Sequence, residues 1–250
     1  MESLFNGQVA IVTGGGSGIG EACALLFAKN GAKVVVSDIN EKGGNAVVDN
    51  IKKNKGEAIF VKADVTKPQE AQHLVDETVK AFGKLDIAVN NAGIGGESHP
   101  VGDLSVEGWD KVIAVNLSSV FYCMKAQIPA MLKNGKGAIV NMASILGQVG
   151  FANSAGYVAA KHGVVGLTKN GAIEYSAKDI RVNAVGPGFI ETPLLSAMDE
   201  AAKKALVSLH PIGRLGKANE VAELVIWLSS DKASFVTGSY HAVDGAYLAR

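Results

Sequence analysis

The chain has 250 residues, 24 Lys plus Arg against 24 Asp plus Glu, and a hydrophobic content of 48%. That length and apolar content suit one large α/β domain better than two small ones. The balanced charge creates no overall field toward nucleic acid or an anionic membrane, so neither is expected as a partner.

Short β-branched or apolar runs alternate with amphipathic stretches, which predicts βαβ units around a parallel sheet. A strand at 9–13 leads to a helix at 18–30, a strand at 33–37 to a helix at 41–54, and a strand at 57–62 to a helix at 68–82. The pattern continues with a strand at 87–89 and a helix at 107–133, then a strand at 138–141 and a helix at 154–177. Strands at 181–185 and 240–243 flank a last helix at 219–229. Gly31, Gly56, Gly83 and Gly135 stand where helix C-caps belong. The expected fold is a single-domain, Rossmann-type α/β three-layer sandwich over 1–250, with a seven-stranded parallel sheet flanked by helices. No repeat or linker marks a second domain. Only 192–217 breaks the alternation; it carries its own helical stretch at 200–209, which predicts a substrate lid.

Thr13-Gly14-Gly15-Gly16-Ser17-Gly18-Ile19-Gly20 follows the first strand directly. Glycines there let the chain turn tightly, bring N–H groups up to a phosphate and pack the helix on the strand. Their spacing departs from Gly-x-Gly-x-x-Gly, so the position of the cluster carries the reading, with a tight structural turn as the alternative. Asp38 ends the second strand eighteen residues beyond Gly20, near the ~20 expected of a carboxylate that accepts from ribose hydroxyls. Its charge repels a 2′-phosphate, Ile39 follows where an arginine would clamp one, and no Lys or Arg stands among 14–20. NAD is therefore expected over NADP. Asp38 also suits a cap on the helix beginning near Glu41.

Tyr157 and Lys161 share a face of a predicted helix. The ammonium can approach the phenol and favour its phenolate form, lowering a pKa that is about 10 unperturbed. Ser144, at the end of the apolar run 138–143, can hold a carbonyl or alcohol oxygen beside that phenol. Alone, Tyr-x3-Lys is equally compatible with a half-exposed helix face.

With Gly14-x3-Gly18-x-Gly20, Asn90-Asn91-Ala92-Gly93, Asn116, Ser144, Tyr157-x3-Lys161 and Pro187-Gly188-x3-Thr192 in order, the sequence resembles the short-chain dehydrogenase/reductase family over nearly its whole length. The resemblance implies an oxidoreductase that moves a hydride between NAD and a small-molecule ketone or secondary alcohol. By that resemblance Tyr157 is the general acid/base, Lys161 tunes it and binds the nicotinamide ribose, and Ser144 orients the substrate oxygen. Asn116 is implied to bind a water linking Lys161 to solvent; the less favoured alternative is a buried amide at a helix break. For the cofactor, Gly14, Ser17, Gly18, Ile19 and Gly20 would cradle the phosphates, Asp38 and Ile39 would meet the adenosine ribose, and Asp64 and Val65 the adenine. Asn91, Ala92 and Gly93 would line the adenosine side of the cleft, with Asn90 tying strands together. Pro187, Gly188, Ile190 and Thr192 would grip the carboxamide. Val243-Asp244-Gly245-Ala246 departs from the family's frequent Val-Asp-Gly-Gly, at a place implied to serve subunit packing. A homotetramer is implied, built on the helices at 107–133 and 154–177 and on the last helix and strand.

Candidate substrate residues are Gly95, Ile145, Gly150, Phe151, Ser154, Phe189, Leu194 and Met198. They are mostly apolar and include no Lys or Arg to hold a carboxylate or phosphate, which suits a neutral secondary alcohol, ketone or ring diol. A 3-oxoacyl-acyl-carrier-protein reductase is the nearest alternative, but its basic docking positions fall on Pro129 and Ile173 here, which cannot pair with an acidic carrier. A non-catalytic NAD-binding sensor or scaffold is disfavoured because Asn116, Ser144, Tyr157 and Lys161 are all present. Cys23 and Cys123 lie in apolar helical stretches and read as core residues, and the five histidines have no ligand spacing, so no metal is expected. Residues 1–6 show no basic leader and no later segment has the ~20 apolar residues of a membrane span, so a soluble, cytoplasmic protein is expected.

Overall fold

Seven strands form one parallel sheet in the computed structural model, which describes residues 3–196 and 198–249, without the side chains of Leu194 and Ser196. They are β1 (Val9–Thr13), β2 (Lys33–Asp38), β3 (Ala58–Lys62), β4 (Ile87–Asn90), β5 (Gly137–Met142), β6 (Ile180–Pro187) and, after two short strands outside this sheet, β9 (Tyr240–Val243). The short pair, β7 (Ile190–Glu191) and β8 (Gly216–Lys217), brackets residues 192–215 in parallel register, Ile190 opposite Gly216. The helices are α1 (Gly18–Lys29), α2 (Glu41–Lys53), α3 (Pro68–Phe82), α4 (Val106–Ile113), α5 (Ser119–Asn134), α6 (Ala155–Tyr175), α7 (Pro193–Ser196), α8 (Glu200–Ser208) and α9 (Ala218–Ser229).

Alternation along the strands builds two cores. In β1 and β2, Ala10, Val12, Val34 and Val36 face a layer holding Phe27 of α1, Ile51 of α2 and Val225 of α9. Ile11 and Val35 face the other way, toward Leu74 of α3, Met131 of α5 and Val164 of α6. A strand buried on both faces reads as a continuous β-branched run, which is why Val9–Thr13 carries no polar residue before its end. The sheet order is β3-β2-β1-β4-β5-β6-β9. The chain winds one way from β1 to β3 and the other way from β4 onward, so the carboxyl ends of β1 and β4 part at a switch point, where ligands enter open α/β sheets.

Two expectations need correction. The helix expected over 107–133 is interrupted: Ala114–Ser118 forms a π-helical segment between α4 and α5. There the Asn116 side chain takes up a loop backbone, accepting from Ile94 N at 2.8 Å and donating to Ile94 O at 2.8 Å. At the end of α2 the left-handed residue is Lys55, at φ 66°, and not Gly56. Gly56 answers to packing instead, since a Cβ on it would come 2.7 Å from Ile51 Cγ2. Gly31, Gly83 and Gly135 do adopt positive φ at helix ends.

Candidate active site

A cleft of about 1180 Å³ opens at the switch point. One end of it is built by the glycine turn. Gly14 and Gly18 sit at φ 60° and 57°, which side-chain-bearing residues seldom adopt. A Cβ on Gly14 would come 2.9 Å from Ala92 Cα, and one on Gly20 would collide with Gly14 O, so the turn packs directly on the loop after β4. Asn91 braces that contact by donating from Nδ2 to Thr13 O at 3.0 Å and Gly14 O at 3.2 Å. Thr13 Oγ1 in turn accepts from the amides of Asn91 and Ala92 at 3.0 and 3.2 Å. Gly20 packs behind the cleft and does not line it. α1 begins at the cleft without a side-chain cap, and Ser17 is exposed at its start. Uncapped first-turn amides at a positive helix end suit a phosphate.

Asp38 lines the same end of the cleft. Its Oδ2 accepts from Gly16 N at 2.9 Å and its Oδ1 from Asn40 N at 2.9 Å. Each carboxylate oxygen keeps a further lone pair for a hydroxyl donor. The capping reading fails, because Asn40 caps α2 by accepting from Gly43 N at 3.1 Å. Ile39 is exposed at the rim. Asp64 is held below the usual carboxylate range by the Thr66 hydroxyl, and with Val65 it lines the same end. Ser37 lies in this wall with a buried Oγ that has no partner. Together the uncapped helix start, the glycine contacts and the Asp38 acceptors fit a nicotinamide dinucleotide.

At the opposite end stand Ser144, Tyr157 and Lys161. Ser144 follows β5, where its Oγ accepts from Leu146 N at 3.2 Å and keeps its proton to donate. Tyr240 of β9 donates to Ser144 O at 3.0 Å and fixes that residue from across the sheet. Tyr157 and Lys161 lie on α6 one turn apart, with Lys161 Nζ 5.5 Å from the Tyr157 ring centre. Burial pushes the Tyr157 phenol up, and the hydrogen bond from Ser144 pulls it down. Burial lowers Lys161 to about 8. The expected lowering of Tyr157 by the lysine charge is not realised here: Nζ turns to Met142 O at 2.8 Å, and desolvation acts on both groups.

Asn116 is fully buried but spent on Ile94, so its side chain does not line the cleft and holds the wall of the loop after β4 instead. Asn90 ties β4 to β5 by donating to Asn141 Oδ1 at 2.9 Å and exchanges hydrogen bonds with Gln127 at 3.2 and 2.8 Å. Gly93, Pro187, Gly188, Ile190 and Thr192 all line the cleft.

Of the substrate candidates, Gly95, Ile145, Phe151, Ser154 and Phe189 line the cleft, whereas Gly150 and Met198 do not. The Leu194 side chain lies outside the described residues; Leu195 lines the wall from the same short helix. Lys111 of α4 also lines the cleft, so the wall is less free of basic residues than the sequence candidates implied. Thr13, Ser37 and Tyr240 escaped the sequence reading; a hydroxyl closing a β-branched strand is the one local signal that marks Thr13. Both cysteines are buried and pushed up to about 12 by burial, which makes them inert core thiols. Among the described residues no group of His, Cys, Asp and Glu is arranged for a metal, and no helix is long and apolar enough to cross a membrane.

The chain belongs to the short-chain dehydrogenase/reductase family: a family model described as enoyl-(acyl carrier protein) reductase matches residues 14–247. It is 53% identical to a cyclohexanol dehydrogenase of Acinetobacter sp. (strain SE19), over 100% of this chain and 98% of the relative. It is 44% identical to a cis-4-hydroxycyclohexanecarboxylate dehydrogenase of Sinomonas cyclohexanicum, over 100% of both chains. The crystal structure of levodione reductase superposes with a TM-score of 0.95 at 37% identity, covering 98% of this chain and 99% of that one. The protein is an oxidoreductase acting on CH–OH groups with a nicotinamide cofactor.

Proposed function

We propose that the protein oxidises a neutral secondary alcohol on a carbocyclic ring to the ketone with NAD, and catalyses the reverse reduction. The observation that carries this is one cleft with Asp38 at one end and Ser144, Tyr157 and Lys161 among Ile145, Phe151 and Phe189 at the other. The relatives named for cyclic alcohols support the ring, and the apolar lining around the hydroxyls supports a neutral substrate.

When bound, the nicotinamide accepts or supplies the hydride. The chain's residues handle the proton. Ser144 donates to the substrate oxygen and orients it toward Tyr157. The phenol of Tyr157 takes the hydroxyl proton in oxidation and returns it in reduction. Lys161, one turn along α6, places its Nζ 5.5 Å from the Tyr157 ring centre, where a bound nicotinamide ribose would meet it. Asp38 selects NAD because its carboxylate, fixed by two backbone amides, keeps lone pairs for ribose hydroxyls and repels a 2′-phosphate.

Pro129 and Ile173, where a carrier-protein reductase would carry basic docking residues, are both exposed and uncharged. A homotetramer and a cytoplasmic location are proposed with the family. Titration of NADH and NADPH followed by a screen of cyclic alcohols tests the reading. NADH should bind at least about tenfold tighter, and cyclohexanol should outpace straight-chain primary alcohols. Tighter NADPH, or faster turnover of an acyl-carrier-protein β-ketoester, would overturn it.

A further inference from the structure

All five histidines are described, and His210 alone among them is buried. Its two ring nitrogens are both committed. Nδ1 lies 2.8 Å from Leu206 O, a carbonyl that can only accept, so Nδ1 carries the proton. Nε2 lies 3.2 Å from Phe189 N, an amide that can only donate, so Nε2 is bare. The imidazole is thereby held in one orientation and joins α8 to the backbone of a residue in the cleft wall.

Phe189 is clasped on its other side too, since its carbonyl accepts from Gly216 N at 3.0 Å in the short lid sheet. Its ring lies 5.8 Å from Phe151, 5.7 Å from His210 and 6.2 Å from Tyr247, centre to centre. Behind it is a second cavity of about 160 Å³, lined by Phe189, His210, Ile212, Arg214 and Gly245 among others. Space of about 150 Å³ is enough to hold a benzene ring. The phenyl ring therefore has somewhere to fall if its backbone is released, and the imidazole is what keeps it forward.

We propose that His210 is a positioning residue for substrate specificity: it latches the lid to Phe189 and holds that ring forward against Phe151, which fixes how large a ring the cleft admits. The proposal rests on the cyclic-alcohol reading above. It adds a residue that touches neither substrate nor cofactor and acts through Phe189.

His210→Leu keeps apolar volume and removes both hydrogen bonds, while His210→Gln keeps an acceptor for the Phe189 amide. In H210L, KM for cyclohexanol should rise about tenfold with kcat changing less than about twofold. The preference in kcat/KM for cyclohexanol over a tert-butyl-substituted cyclohexanol should fall by about tenfold. NADH affinity should stay as in the unmodified protein, and H210Q should recover most of the preference. An unchanged preference in H210L, or equal behaviour of H210L and H210Q, overturns the proposal. Hydrogen exchange at the Phe189 amide gives a reading that needs no substrate. It should accelerate in H210L and not in H210Q, and equal protection in both contradicts the latch. Failure of the unmodified enzyme on every cyclic alcohol would sink the functional reading, with the exchange measurement still deciding the latch.

Discussion

Lys161 shows what the site costs. A lysine with an ordinary value of 10.5 held at about 8 by burial carries a penalty on the order of 3 kcal/mol while both folded and unfolded chains are protonated. The folded value lies below the unfolded one, so the folded protein binds fewer protons between those limits. Its contribution to stability is unfavourable below about 8 and is relieved as pH rises toward 10.5. Lys161→Met should therefore abolish turnover and still raise stability at neutral pH by about 1–2 kcal/mol, once the lost hydrogen bond to Met142 O is offset. The gain should shrink as the pH passes above about 8. Chemical denaturation at two pH values checks both parts; a destabilised variant at neutral pH contradicts the desolvation account. Lys161, Tyr157, Ser144 and Asp38 were legible because each sits in a local spacing or at a strand end. Tyr240 and His210 were not, because their hydrogen bonds to Ser144 and Phe189 span 96 and 21 residues and leave no local pattern.

The alternation of apolar runs placed all seven strands of the main sheet and their helices, since burial on both faces leaves a strong continuous signal. Departures occur where a side chain's tertiary partner overrides the local pattern. Asn116 sits in an apolar helical run, yet the π segment around it coincides with its exchange of hydrogen bonds with the Ile94 backbone. The end of α2 shows the same limit: glycine marks a C-cap in the sequence, yet packing on Ile51 holds Gly56 small while exposed Lys55 takes the left-handed conformation. Lys55→Gly should stabilise the protein by about 0.5–1 kcal/mol, because it removes the Cβ cost at positive φ without disturbing a buried contact. A shift of the denaturation midpoint at unchanged slope would show it, whereas a loss of stability would mean Lys55 makes a contact worth more than its strain. The interrupted alternation did mark the segment that carries α7 and α8. The parallel pairing of Ile190 with Gly216 was not, because two-residue strands are below any periodic signal.

At the scale of the whole molecule, the sheet order makes the cleft. Reversal of winding between β1 and β4 opens one crevice. Strand ends bring the glycine turn, Asp38, Asp64 and Asn91 to one half of it, and Ser144 with the α6 pair to the other. In the segment between β7 and α9, the Arg214 guanidinium meets both Glu220 oxygens at 2.6 and 2.9 Å and holds that carboxyl down at about 2. The glycine turn and the Ser144–Tyr157–Lys161 group thus line the two halves of one cleft. The most direct test is the rate of NADH formation from cyclohexanol by the unmodified protein and by Tyr157→Phe, each with NAD and with NADP. The account predicts robust turnover with NAD, much slower turnover with NADP, and a loss of about a thousandfold in the variant with NADH affinity intact. Turnover by Tyr157→Phe at the unmodified rate, or a preference for NADP, would contradict it.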